Sequence, residues 1–416
     1  MPRPIITQNA GIYSLAWLDY NLVMRLDRLR EKSDVVSAEI TIKSSLPGQP
    51  SHIHQARLNL VSTTARKQLA TFLTTRYGDV PPWGDLLEQT CVMVLARHRE
   101  GEPPIRLGDL PKREALKYCA QPLLVENQAN MWYGAGQTGK SMLACYIAVL
   151  VETPVNHNGI EVEPGKVLYV DYETDETEVG ERVRAIQGGL DLETPTDILY
   201  RYGKMPLADD IEQIQRITIE NGIELVIVDS LGMAAGGDQD KSTDIIRYFQ
   251  ALRTLKCTTL TIDHLNKEGK LYGNVYKFNE GRNIWEVKGV ADAGEARLDI
   301  GLYHRKMNNG RLLNPLGFSF KFGERAYTVK KQDIRTIPDL EVAMPLVGRL
   351  RTALSRGAMT IAEVSEELSV PGKKTTEAYI RTTLNRHKGI FEPVYVDGQR
   401  ENKWGLKASV SNDTYH

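Results

Sequence analysis

The densest concentration of chemistry in this chain is an octet, Gly134-Ala135-Gly136-Gln137-Thr138-Gly139-Lys140-Ser141. Its glycines let the backbone curl until several N–H groups point at one spot. A helix starting at that spot adds its positive N-terminal end. Lys140 supplies a point charge for β- and γ-phosphates, and the Ser141 hydroxyl can reach a Mg²⁺ ion. A strand-like run, Asn130–Tyr133, precedes the octet and a helix-like run, Met142–Leu150, follows it. Strand, glycine loop and helix in that order form a phosphate-binding loop, and they imply ATP with Mg²⁺ as the ligand.

Cleaving a bound triphosphate needs two further groups. An acid at the tip of a neighbouring strand holds the Mg²⁺ shell beside Ser141. Ile223-Glu224-Leu225-Val226-Ile227-Val228-Asp229 reads as a buried strand ending in such an acid, so Asp229 takes that place. A base must also orient the attacking water. Another apolar strand, Val167–Val170, ends in Asp171-Tyr172-Glu173. Glu173 is the candidate base and Asp171 the runner-up.

These groups have to be brought together by a sheet. Apolar runs at Lys166–Asp171, Glu224–Asp229 and Thr258–Asp263 alternate with helical patterns from about 125 to 335. Near-continuous apolar strands separated by helices predict an α/β fold with a mainly parallel sheet buried on both faces. Before it, residues 1–100 show period-two runs (Leu22, Met24, Leu26; Ala38, Ile40, Ile42; Ala56, Leu58, Leu60) and then helical stretches at Ser62–Tyr77 and Trp83–Arg97. They predict a small α+β domain. Residues 101–124 carry four prolines and read as a linker, with one short helix around Arg113–Cys119. A third unit is expected over 340–408.

Bulk properties narrow the class. A chain of 416 residues is too long for one ordinary core. Its formal net charge of −1 gives no global basic field, so nucleic-acid binding would have to come from local patches. The four cysteines, Cys91, Cys119, Cys145 and Cys257, lack the spacing of a zinc site and read as reduced thiols. With no apolar signal core at the start and no long apolar run, a cytoplasmic protein without a membrane partner is expected.

The central segment resembles the RecA-like P-loop ATPases, especially the branch containing the plasmid replicative helicase RepA and, more distantly, DnaB and RadA. In that group the catalytic glutamate closes the strand after the P-loop helix, as in Leu168-Tyr169-Val170-Asp171-Tyr172-Glu173 here, and an arginine follows in the next helix, as Arg182 does. The acid strand runs into Asp229-Ser230-Leu231 and a glycine-rich loop at Gly236-Gly237-Asp238. The next strand ends in a polar sensor and a lysine, matched by Asp263-His264-Leu265-Asn266-Lys267. A Gly273-Asn274 turn and Arg282-Asn283-Ile284-Trp285 follow. The resemblance implies a RecA-like core, a sensor role for His264, and assembly into a ring or filament of identical subunits, expected to be hexameric. A neighbouring subunit then supplies a cation to the γ-phosphate. In DnaB-like helicases that cation comes from a Lys-x-Arg pair before Asn-Gly. Here the phrase is Arg305-Lys306-Met307-Asn308-Asn309-Gly310, so Lys306 matches and Asn308 stands where the arginine would be. Arg305 or Arg282 is left as a substitute.

Two regions suit nucleic acid. Between Asn266 and Arg282, Lys267, Lys270, Lys277 and Arg282 are interleaved with Tyr272, Tyr276 and Phe278. Basic and aromatic residues together suit a single strand, whose phosphates and base faces both need partners. The equivalent loop lines the central channel in the related rings. Towards the C-terminus, helical patterns at Val347–Arg356, after the capping box Thr360–Glu363, and at about Thr375–Lys388 are followed by a hairpin through Lys403-Trp404. Three helices and a hairpin resemble a winged helix–turn–helix. Lys373, Lys374, Arg381, Arg386 and Lys388 would face duplex DNA from the third helix, and Arg400 and Lys403 from the wing.

The sequence thus points first to a DNA-dependent ATPase, a ring-forming helicase-type motor of a mobile element or phage replication system, with a replication protein as a possible further partner. An ATP-switched DNA-binding regulator or partner loader, and a RecA/RadA-like recombination ATPase, are the alternatives.

Overall fold

The computed structural model describes residues 3–9, 11–45, 50–101, 104–111, 115–237, 242–265, 276–291, 294–369, 375–396 and 399–407. The chain divides into two compact units, Met1–Ala115 with Asp210–Glu220, and Leu116–Asp209 with Asn221–His416.

The first unit is an antiparallel sheet of β1 (Ile5–Asn9), β2 (Ile12–Trp17), β3 (Leu22–Lys32), β4 (Val35–Ser44) and β5 (His52–Asn59), paired in chain order. Strand alternation puts Leu22, Met24, Leu26, Ala38, Ile40 and Ile42 on one buried face. Helices α1 (Thr63–Tyr77) and α2 (Trp83–Glu100) supply Leu69, Leu73, Leu86, Leu87 and Val94 to the same core. The Ser62 hydroxyl caps α1 by accepting from Ala65 N–H.

The second unit opens with two short strands, β6 (Tyr118–Gln121) and β7 (Leu124–Val125). The helix expected around Arg113–Cys119 therefore gives way to a strand at its C-terminal end. Cys119 and Ala120 are buried and β6 pairs with β7, so tertiary pairing overrides a weak local helical pattern. The elements that follow are β8 (Ala129–Gly134), α3 (Lys140–Glu152), β9 (Glu161–Val162), β10 (Lys166–Asp171), α4 (Glu176–Gly189), β11 (Leu199–Tyr202), α5 (Leu207–Asn221), β12 (Ile223–Asp229), α6 (Leu231–Ala234), α7 (Ser242–Thr254), β13 (Thr258–His264), α8 (Tyr276–Glu280), β14 (Asn283–Val290), β15 (Arg297–Met307), β16 (Leu316–Phe322) and β17 (Tyr327–Lys331). They build a nine-stranded sheet in the order β11-β10-β12-β13-β8-β14-β15-β16-β17. Strands β11 to β14 in that order run parallel, and β15, β16 and β17 add an antiparallel edge. Helix α3 is buried all round from Leu143 to Val151, because it touches β6 on one side and β8, β10 and β12 on the other. Most of α5 clusters with the first unit, where Arg216 lies 4.0 Å from Asp27.

The last elements are α9 (Pro338–Glu341), α10 (Leu346–Ser355), α11 (Ile361–Glu367), α12 (Glu377–Arg386) and a hairpin of β18 (Phe391–Val396) and β19 (Gln399–Leu406). Leu350, Val364, Ile380, Leu384, Phe391 and Trp404 share one core, and the Thr360–Glu363 capping box is formed in full. Among the described residues no helix is long and apolar enough to cross a membrane.

A buried polar network ties the middle strands together. Asn130 on β8 donates to Val125 O at 3.0 Å and Thr259 O at 3.1 Å. Asn283 donates to Asn130 Oδ1 at 2.8 Å, and its own Oδ1 meets His304 Nε2 at 2.9 Å. Leu313 N–H donates to His304 Nδ1 at 3.0 Å, which requires the neutral ring. Burial holds the His304 pKa down at about 4. The unfolded chain takes up this proton around the ordinary value of 6.5, so the contribution of His304 to stability is complete above that value and is lost as pH falls from 6.5 towards 4. The urea midpoint of the wild type should therefore drop more steeply over that window than the midpoint of His304→Gln; parallel curves would refute the assignment.

Candidate functional site

The C-terminal ends of the parallel strands bring the sequence-predicted groups to one rim. The octet leaves β8 at Gly134 and enters α3 at Lys140. Gly139 is the residue before the helix, with φ +83, and a Cβ there would stand 2.6 Å from Ile300 Cδ1. A Cβ on Gly134 would stand 2.1 Å from Val287 O. Strands β14 and β15 thus brace the loop from behind; backbone leaves no room for a side chain at Gly134, and the left-handed φ disfavours one at Gly139.

Lys140 is only 3% exposed. Its ammonium folds back on the loop, donating to Gly134 O at 3.0 Å and Ala135 O at 2.6 Å. Thr138 Oγ1 also donates to Ala135 O at 3.0 Å, so the loop is braced by its own carbonyls. Burial lowers the Lys140 pKa to about 8, against the fields of Asp229, Glu173 and Asp263, which raise it. Gly136 has nothing within 4 Å of a Cβ position, and Gln137 is exposed.

Asp229 closes β12 and is buried. Its Oδ2 accepts from the Tyr169 hydroxyl at 2.7 Å. Its Oδ1 is buried with no hydrogen-bond donor in geometry, although the Ser141 hydroxyl lies near enough to favour the ionised form. Burial is the larger influence and raises the carboxyl pKa. An unsatisfied carboxylate oxygen beside a serine hydroxyl is a fitting pair of donors for a hard cation such as Mg²⁺. Tyr169 escaped the sequence reading. A tyrosine inside an aliphatic run was the available signal, since its buried hydroxyl needs a partner.

The two acids after β10 have separate duties. Asp171 is 1% exposed and accepts four hydrogen bonds, from Glu173 N–H at 2.9 Å, Thr174 N–H at 3.2 Å, Thr174 Oγ1 at 2.6 Å and the Tyr200 hydroxyl at 3.1 Å. It is committed to shaping the turn that presents Glu173. Glu173 is partly exposed; its Oε1 accepts from the Ser230 hydroxyl and meets His264 Nε2 at 2.9 Å. The His264 bond first, and then Ser230 and Lys140, hold its pKa below the ordinary carboxylate value. Glu173 is therefore an ionised acceptor on the open side of the loop, as a water-orienting base requires.

Three cations expected to act outward are differently placed. Lys277 is fully buried and paired with Asp263 Oδ2 at 3.0 Å, so it is not available to a nucleic-acid strand. Lys306 donates to Phe278 O at 2.7 Å and Asn279 O at 2.8 Å, closing the end of α8 in its own chain. Arg305 holds Glu286 Oε2 through Nε at 2.8 Å and lies 5.3 Å from the Tyr303 ring centre. Both would have to give up these bonds to serve a neighbour's phosphate. Arg282 remains exposed. Its N–H bonds Ala129 O at the start of β8. Five residues separate that point from Gly134, about 17 Å along the strand, so Arg282 sits on the rim away from its own phosphate loop.

Arg381, Arg386 and Lys388 are exposed on or just after α12, and Lys403 is exposed on β19. Arg400 lies in the backbone of β19, opposite Tyr395. Lys267, Lys270, Lys373 and Lys374 lie outside the described residues.

The phosphate loop, with Asp229 on the second strand along and Glu173 on the third, forms a rim of P-loop type suited to a nucleotide on a mainly parallel α/β sheet. One strand, β13, intervenes between the loop strand β8 and the acid strand β12. Residues 103–270, fewer than half of the 416, match the family model described as AAA domain. A KaiC-like protein from the hyperthermophilic archaeon Pyrococcus horikoshii is similar in structure over 51% of this chain and 93% of its own, at 14% identity and a TM-score of 0.38, a likeness too slight to carry an argument. No curated protein matches the sequence.

A buried lysine with a pKa of about 8 makes nucleotide binding pH-dependent. A triphosphate beside Lys140 favours the ammonium, so binding at pH 8.5–9 takes up a proton and weakens as pH rises through that range. Calorimetry in buffers of different ionisation enthalpy should detect the uptake in the wild type. Lys140→Met should abolish it along with most of the affinity; unchanged ATP binding in that variant would remove Lys140 from the site.

Proposed function

We propose that the protein is a DNA-dependent ATPase that works as a ring-forming, helicase-type motor. The observation that carries this reading is the convergence of Lys140, Asp229 and Glu173, whose charges act on one another at the mouth of the loop. ATP would lie along Gly134–Ser141, with its Mg²⁺ held by Ser141 and Asp229. When bound, the ion neutralises developing charge on the phosphates. Glu173, ionised and aimed by Ser230 and His264, orients water towards the γ-phosphate.

Among the described residues Arg282 is exposed and removed from its own phosphate loop, and in this reading it serves a neighbouring subunit's phosphate, with ATP at subunit interfaces. A cation supplied in this way accelerates hydrolysis by about 10³–10⁵ in related phosphoryl-transfer systems. The exposed cations of α12 and Lys403 on β19 support a winged-helix contact with duplex DNA. An ATP-switched regulator shares these features and differs in performing no unwinding.

In a turnover assay, Glu173→Gln should bind ATP as the wild type does and lose at least about 100-fold in kcat. Hydrolysis at the wild-type rate would return the role of base to another group. Single-stranded DNA should raise wild-type turnover, and Arg282→Ala should lose that turnover without losing ATP. In a strand-displacement assay, unwinding favours the motor; ATP-dependent duplex binding without displacement favours the switch. Replacing Arg381 and Arg386 together by alanine should weaken duplex binding and flatten its salt dependence.

A further inference from the structure

Directly behind His264 lies a charge pair that the hydrolytic chemistry above does not use. Lys277 and Asp263 are both buried, at 0% and 1% side-chain exposure, with Lys277 Nζ 3.0 Å from Asp263 Oδ2 and 3.2 Å from Oδ1. Removing two charges from water costs several kcal/mol per ion, and a pair of apolar residues often serves stability as well. A stability role therefore explains the pair poorly, and its surroundings suggest a positional one.

Asp263 is the last fully buried residue of β13, and His264 follows it at the strand end. The carboxylate of Asp263 also accepts from the backbone N–H of His264. The His264 ring meets Glu173 Oε1 at 2.9 Å. On the far side, Lys277 belongs to α8, thirteen positions beyond His264 in the chain. Helix α8 is fixed by two further ties: Lys306 holds the carbonyls of Phe278 and Asn279, and Glu280 pairs with Arg253 on α7. An unbroken line of contacts thus runs from α8 through Lys277, Asp263 and His264 to the water-orienting carboxylate. Asp263 also acts on Lys140, so an Asp263 left unpaired would add negative charge where the γ-phosphate must sit.

We infer that Lys277 is a positioning residue for hydrolysis: it neutralises Asp263 and, through it, fixes His264 and Glu173, so that the placement of α8 governs the catalytic step more than the binding of nucleotide. The inference rests on Glu173 being the base. Glu173→Gln, run in parallel, separates failure of that assignment from failure of this one.

The test is a double-mutant cycle on the full-length protein. Lys277→Met alone strands a buried carboxylate and risks misfolding. The paired variant Asp263→Asn with Lys277→Met removes both charges at nearly constant volume, and its folding is checked by thermal melting. It should lose at least about tenfold in kcat while the Kd for ATP changes by a smaller factor, the signature of an interaction spent mainly on the transition state. Combined with His264→Ala, it should add little further loss, because the two act through one line of contacts. Lys277→Arg, which keeps the charge, should recover part of the rate. An unchanged kcat in the folded paired variant, or losses that multiply fully with His264→Ala, would overturn the inference.

Discussion

The site is organised around one ammonium group that has been taken out of water. Lys140 is buried among the carbonyls of its own loop, with Asp229, Glu173 and Asp263 close enough to act on it. Burial opposes its charge and the three carboxylates support it, and the outcome is a lysine that is mostly charged at pH 7 with its pKa lowered to about 8. A phosphate arriving at the loop completes the balance.

That balance depends on the parallel sheet. Each strand from β10 to β8 delivers one group to the same rim: the Asp171 turn and Glu173 after β10, Asp229 on β12, Asp263 and His264 on β13, and the loop after β8. In parallel strands the ends coincide, so groups far apart in the chain meet without long loops. The antiparallel edge has a different duty. Val287 on β14 and Ile300 on β15 press on the glycines of the loop and leave no space for it to collapse backwards. The Asn130–Asn283–His304 network locks β8, β14 and β15 in register beneath it.

Charge satisfaction within the chain also sorts the cations. Lys277, Lys306 and Arg305 look alike in the sequence to Arg282 and the basic residues of α12. In the folded chain the first three are held by carboxylates or carbonyls and stabilise α8, β14 and the sheet edge. Arg282, Arg381, Arg386 and Lys388 stay exposed to water.

The sequence by itself determined the phosphate loop, the acid strand, the α/β alternation and the three-helix-plus-hairpin tail, because glycine spacing, apolar runs and a capping box are local signals that a linear pattern carries intact. It also offered Glu173, ahead of Asp171, as the candidate base. Only the tertiary structure shows that Asp171 is saturated by Thr174, Tyr200 and the turn backbone. The strand at Tyr118–Gln121 in place of a helix, the orphaned oxygen of Asp229, and the burial of Lys277 against Asp263 belong to the same class. Each depends on a partner distant in the chain. Whether a charged or polar group faces water or another charge is a question of three-dimensional neighbours, and residue type and spacing do not encode it.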